Sequence, residues 1–129
     1  MVSGTAERIL YVDDEPMLVF LVTRALEKLG IASQGFSSAD EALAAFGREP
    51  HAFALVLTDL TMPGGMSGLD VAQAVLAIRP DAKVVIASGC IDPAEARRAA
   101  ELGVHTVIQK PAKVDEMAQL VSGLLQDSV

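Results

Sequence analysis

The chain has 129 residues, a length that suits one hydrophobic core. Hydrophobic residues make up 51% and charged residues 21%, which argues against disorder, and with four Phe, one Tyr and no Trp the core must be aliphatic. A net charge of −7 disfavours direct binding to nucleic acid or an anionic membrane, and the single Cys90 excludes an internal disulfide and fits a reducing compartment.

No apolar run approaches the roughly 20 residues of a spanning helix, and Met1 to Arg8 lacks the apolar centre of a signal peptide. A cytoplasmic location is therefore expected. Ile9 to Val12 reads as a short strand that stops at Asp13-Asp14-Glu15-Pro16. Leu18, Leu21, Val22, Ala25, Leu26 and Leu29 then recur at helical spacing, with Gly30 as the stop. Ile31 to Phe36 is a weaker, glycine-containing strand suited to an edge. Ser38 and Glu41 have capping-box spacing and open a helix through Phe46.

Phe53 to Leu57 is a continuous apolar run, as expected of a strand covered on both faces, and it ends at Thr58-Asp59. A loop from Met62 to Gly68, rich in Gly and Pro, leads to a helix from about Leu69 to Ile78. Lys83 to Ala87 repeats the buried-strand pattern and stops at Ser88-Gly89. Asp92-Pro93 caps a helix that runs to Leu102-Gly103. Thr106 to Ile108 is a last strand, broken by Lys110-Pro111, and Val114, Met117, Val121, Leu124 and Leu125 line a final helix. Five strands alternating with five helices predict a doubly wound α/β fold with a parallel sheet. Its ligands would gather beyond the carboxyl ends of the strands. Residues 1–129 read as one domain, with a core of about 8–126.

The polar residues fall at those strand ends. Asp13 and Asp14 follow the first strand, Asp59 the third, Ser88 the fourth and Lys110 the fifth. A lone acidic pair is more often a solvated loop or a helix cap, a lone lysine a surface residue, a lone serine a turn. Their joint placement at four strand ends argues for a site. Three crowded carboxylates repel, which asks for a hard cation with oxygen ligands, and magnesium suits that chemistry. The same crowding leads us to expect that Asp13→Asn stabilises the metal-free protein. Zinc is disfavoured, because His51 and His105 lie away from the strand ends on the site face and read as surface residues. A carboxylate beside magnesium can act as a nucleophile toward phosphorus, with Lys110 and Ser88 stabilising the transferred oxygens.

The segments Tyr11-Val12-Asp13-Asp14-Glu15-Pro16, Leu57-Thr58-Asp59-Leu60-Thr61-Met62-Pro63, Met66-Ser67-Gly68-Leu69, Ser88-Gly89 and Gln109-Lys110-Pro111 resemble the receiver domain of two-component response regulators, from about Arg8 to Gln126. The resemblance implies a flavodoxin-like sheet in the order 2-1-3-4-5, with Asp59 as phosphoacceptor. It implies magnesium held by Asp14 and Asp59, by Asp13 directly or through water, and by the backbone carbonyl of Thr61. It further implies a cis bond between Lys110 and Pro111. The expected partners are a histidine kinase or phosphotransfer protein, and a downstream protein on the face of the fourth helix, fifth strand and fifth helix. No external substrate is turned over; such a domain promotes only its own aspartyl phosphorylation and dephosphorylation.

Three positions depart from the family pattern: Val107 where an aromatic switch is common, Ala112 where Phe is common, and an extra glycine in Pro63-Gly64-Gly65-Met66. Val107 is stiff and small, so the signal is expected to stay mostly in the loop after Ser88 and the start of the next helix. Cys90 reads as a small side chain that tunes water access, against a competing redox role. Three other functions compete. A haloacid-dehalogenase-like phosphatase would want an Asp-x-Asp motif and a cap. A flavin-binding module would want a glycine- and hydroxyl-rich phosphate loop in place of the acidic one. A degenerate receiver serving as an adaptor would lack some of the chemical residues.

Overall fold

A computed structural model of the chain describes residues 8–62, 66–111 and 113–126, with residue 126 described by its backbone alone. Five parallel strands, β1 (Arg8–Val12), β2 (Ser33–Phe36), β3 (Phe53–Asp59), β4 (Val84–Ser88) and β5 (Thr106–Gln109), form one sheet in the order β2-β1-β3-β4-β5. Five helices alternate with them: α1 (Pro16–Lys28), α2 (Ala39–Arg48), α3 (Gly68–Ile78), α4 (Pro93–Leu102) and α5 (Val114–Gln126). The fold class, the strand order and the edge position of β2 are those expected. The weak strand is shorter than its apolar pattern suggested, and a 3-10 turn at Pro50–Ala52 precedes β3.

The helices begin where the sequence can satisfy their free N–H groups. Glu15 caps α1 without using its side chain; Asp13 Oδ1 accepts the Glu15 N–H at 3.1 Å and Pro16 supplies the first turn. The Ser38 hydroxyl accepts the Glu41 N–H at 3.4 Å at the start of α2. At α3, Ser67 and Asp70 form a reciprocal capping box, with bonds of 3.3 and 3.0 Å. The Asp92 carboxylate accepts the Ala94 N–H at 2.8 Å before Pro93, and α4 ends at Gly103, whose φ of 97° suits glycine.

The sheet separates two apolar clusters because successive strand residues point to opposite faces. Leu10, Val12, Val56, Val84 and Ile86 pack with Phe46, Val71 and Val75 under α2, α3 and α4. Ile9, Tyr11, Leu55, Leu57, Val85 and Ala87 pack with Val22, Leu26, Met117 and Val121 under α1 and α5. At the amino end of the sheet, Arg79 donates to the carbonyls of Pro50 and Phe53 at 2.9 Å each, and Lys83 Nζ donates to the Leu124 carbonyl at 2.7 Å. These bonds fasten the end remote from the acidic residues.

Candidate functional site

Register brings the strand ends together. Val12 pairs with Thr58, Asp59 with Ala87, and Ser88 with Gln109, so the residues that follow each strand converge on one rim. Asp59 is itself the last residue of β3. With a period of two, Asp13 continues the row of Tyr11, Asp59 that of Leu57, and Lys110 that of Ile108, all on the α1/α5 face. Ser88 continues the row of Ile86 on the opposite face.

Asp13, Asp14 and Asp59 each offer an oxygen within 4.8 Å of the others. Lys110 Nζ lies 3.0 Å from Asp13 Oδ2 and 3.3 Å from Asp59 Oδ1. Asp13 is fully buried and Asp59 is 7% exposed. Burial and then the charge of Asp13 hold the Asp59 carboxyl above its ordinary range, against the opposing pull of Lys110. Burial would lower the lysine, but its hydrogen bond to Asp13 and the charges of Asp13 and Asp59 outweigh that and raise it. Three carboxylates against one ammonium leave two negative charges without a partner in the cluster. That donor set fits a divalent cation of oxygen preference. A polar cleft of about 220 Å³, lined by Asp14, Ser38, Asp40, Met62 and Met66, opens beside Asp14.

Ser88 is 4% exposed, and its hydroxyl is held within its own loop. It donates to the Cys90 carbonyl at 2.7 Å and accepts the Cys90 N–H at 3.2 Å. Cys90 itself is exposed. Thr61 is exposed, two residues beyond Asp59 in the chain. His51 and His105 are exposed and take no part in the acidic cluster. Val107 is half-buried and lines a small apolar cavity with Leu60, Leu69, Ile86, Ile91 and Ala99. The extra-glycine segment Pro63-Gly64-Gly65 and Ala112 lie outside the described residues.

One implied feature is corrected. Among the described residues no peptide bond is cis, Lys110–Pro111 included. The trans form is favoured at X-Pro bonds by about 0.5–1 kcal/mol, and through it Lys110 still reaches both carboxylates.

Two contributors were not singled out from sequence. The Tyr11 hydroxyl donates to Asp13 Oδ2 at 2.8 Å, and Tyr11 is fully buried. Burial, then the charge of Asp13 and this bond, push the phenol far above its ordinary range. The available signal was a tyrosine two residues before an acidic residue in a buried strand, on the same face, with a hydroxyl that needs a partner. The second is Gly68, whose N–H donates to the Leu60 carbonyl at 2.8 Å. A Cβ there would stand 2.5 Å from the Asp59 carbonyl oxygen, so the start of α3 rests directly on the backbone of Asp59.

The sequence matches the response regulator receiver domain family over residues 9–122. It is 33% identical over 116 residues to the C4-dicarboxylate transport transcriptional regulatory protein DctD of Rhizobium meliloti, covering 90% of this chain and 25% of that protein. It is 32% identical over 114 residues to the photosynthetic apparatus regulatory protein RegA of Cereibacter sphaeroides, covering 88% and 60%. The chain thus spans a quarter to three-fifths of these relatives. A response regulator receiver domain protein from Clostridium thermocellum superposes with a TM-score of 0.82 at 26% identity, covering 94% of this chain and 95% of that one. These matches give no support to a haloacid-dehalogenase-like phosphatase. An acidic rim with a lysine across it, on a sheet of this order, accompanies a family match along nearly the whole chain, and the chain belongs to the receiver domains of two-component response regulators.

Proposed function

We propose that Asp59 accepts a phosphoryl group from a phosphohistidine of a histidine kinase or phosphotransfer protein, and that residues 1–129 act as one receiver domain in the cytoplasm. The observation that carries the reading is Lys110 Nζ at 3.3 Å from Asp59 Oδ1, inside a cluster of three carboxylates. An Asp59 oxygen forms the new bond to phosphorus while the bond from phosphorus to the donor imidazole nitrogen breaks. Asp14 and Asp59, with Asp13 directly or through water and the Thr61 carbonyl, would hold a magnesium ion, whose contribution is to neutralise the phosphoryl oxygens.

Lys110 then exchanges a carboxylate for a phosphoryl oxygen. Ser88 rotates from the Cys90 carbonyl to donate to another, which changes the loop between β4 and α4. With Val107 in place of an aromatic residue, the change reaches the α4-β5-α5 face chiefly through that loop, and a downstream protein reads it there. An overall charge of −7 supports a protein partner in preference to direct contact with nucleic acid or membrane, and no described helix is long and apolar enough to cross a membrane. The domain turns over no external substrate and promotes only formation and hydrolysis of its own aspartyl phosphate.

Intact-mass measurement with a small phosphodonor and magnesium tests the assignment. One added phosphate is expected on the wild type, and none on Asp59→Asn or after chelation of the metal. Full labelling of Asp59→Asn would overturn it.

A further inference from the structure

Asp13 is held at three points. Oδ1 accepts the Glu15 N–H, while Oδ2 accepts both the Tyr11 hydroxyl at 2.8 Å and Lys110 Nζ at 3.0 Å. Asp13 and Tyr11 are both fully buried, so neither can exchange its partner for bulk water. The tyrosine ring belongs to the apolar cluster under α1 and α5, which fixes where its hydroxyl points. Lys110, in contrast, is 21% exposed and already bridges two carboxylates. Of the two donors on Oδ2, one is anchored by the core, and the other is partly exposed and shared with Asp59.

From this asymmetry we infer that Tyr11 is a positioning residue, whose hydroxyl keeps Asp13 Oδ2 satisfied so that Lys110 can turn to the group carried by Asp59. The inference rests on the phosphoacceptor reading above. Without the hydroxyl, Lys110 becomes the one side chain that compensates a buried carboxylate oxygen, and pulling it away costs more. A tyrosine that merely satisfied its own hydroxyl would give a different result. Its replacement by Phe removes donor and desolvation cost together and leaves the lysine as ready as before.

The test compares wild type and Tyr11→Phe with beryllofluoride, a tetrahedral stand-in for the phosphoryl group, under saturating magnesium. Beryllofluoride affinity is expected to fall about tenfold, the worth of one redistributed charge-assisted hydrogen bond. Magnesium affinity without beryllofluoride should not weaken. In an Asp13→Asn background the same substitution should add no further loss, because the effect runs through that carboxylate. Wild type offers a reading that needs no variant. Tyr11 is the single tyrosine and there is no tryptophan, so emission excited beyond the phenylalanine absorption band comes from this phenol ring alone and should change as beryllofluoride draws Lys110 off Oδ2. Equal beryllofluoride affinity in wild type and variant, equal weakening of magnesium and beryllofluoride, or constant emission through saturation would each overturn this inference alone. A wild type that binds no beryllofluoride would overturn the phosphoacceptor reading along with it.

Discussion

Asp13 and Lys110, 97 residues apart in the chain, share a 3.0 Å ion pair whose acid has no exposed surface. The pair closes the rim of the sheet by tying the end of β1 to the end of β5. Lys110→Met would leave Asp13 and Asp59 facing each other without the ammonium. Removing one partner of a fully buried pair costs about 3–5 kcal/mol, and with Lys110 21% exposed we expect about 2–3 kcal/mol. Urea denaturation without metal measures this, and magnesium should recover part of the loss by replacing the missing positive charge.

The crowding of three acids led to the expectation that Asp13→Asn stabilises the metal-free protein. The geometry moves that expectation to Asp59. Asp13 is compensated by Tyr11, Lys110 and the Glu15 N–H, so Asp13→Asn should destabilise. Asp59 is the acid held above its ordinary range, by burial and by Asp13. Its contribution to stability is full below the unfolded carboxylate value of about 3.9, and is lost as pH rises through its elevated titration. Asp59→Asn should therefore stabilise the metal-free protein at neutral pH and flatten this decline, as melting midpoints followed across pH would show.

Gly68→Ala places a methyl group 2.5 Å from the Asp59 carbonyl oxygen and 2.9 Å from Leu60 Cα. Backbone atoms cannot swing aside as side chains do, so we expect a loss of about 2–3 kcal/mol, at the upper end of overpacking costs. The displaced segment carries Asp59, so beryllofluoride affinity should fall as well. Chemical denaturation and a binding titration measure the two effects separately.

Tyr11 should resist alkaline ionisation. A free phenol titrates near pH 10, but burial and then Asp13 push this one far higher. The folded protein therefore loses stability as pH climbs above the unfolded value, because the unfolded chain can release the phenolic proton and the folded one cannot. The near-ultraviolet absorbance of the phenolate should appear together with loss of circular dichroism, not before it. Ionisation near pH 10 with the fold intact would contradict the buried bond to Asp13.

The parallel α/β fold and the placement of Asp13, Asp14, Asp59, Ser88 and Lys110 at strand ends were legible because parallel strands covered on both faces read as apolar runs, and each run ends on its polar residue; the strand order was implied by the family resemblance. The remainder depends on contacts that no local pattern encodes. Tyr11 sits inside an apolar run and reads as core until the bond to Asp13 is seen. Gly68 reads as one more loop glycine, since only the packed structure brings the Asp59 backbone against it. Ser88 reads as a hydroxyl for the transferred oxygens, and its sequence does not show that its loop holds it on Cys90. The Lys110–Pro111 geometry came from resemblance, and the trans bond found here shows that the lysine can reach its carboxylates without the implied isomer.

The sheet that separates the two apolar clusters also separates the repairs open to each. A side chain lost under α1 and α5, such as Val121, leaves a void that Met117 or Leu26 can help to fill, while Val75 lies across the backbone plane and cannot. Lesions on opposite faces should therefore accumulate independently, and a suppressor of one should map to its own side of the sheet. Tyr11 lies on the α1/α5 side and Val107 packs on the other. The interior that anchors the Asp13 carboxylate can thus drift in sequence without disturbing the interior that Val107 borders, and each can be retuned alone.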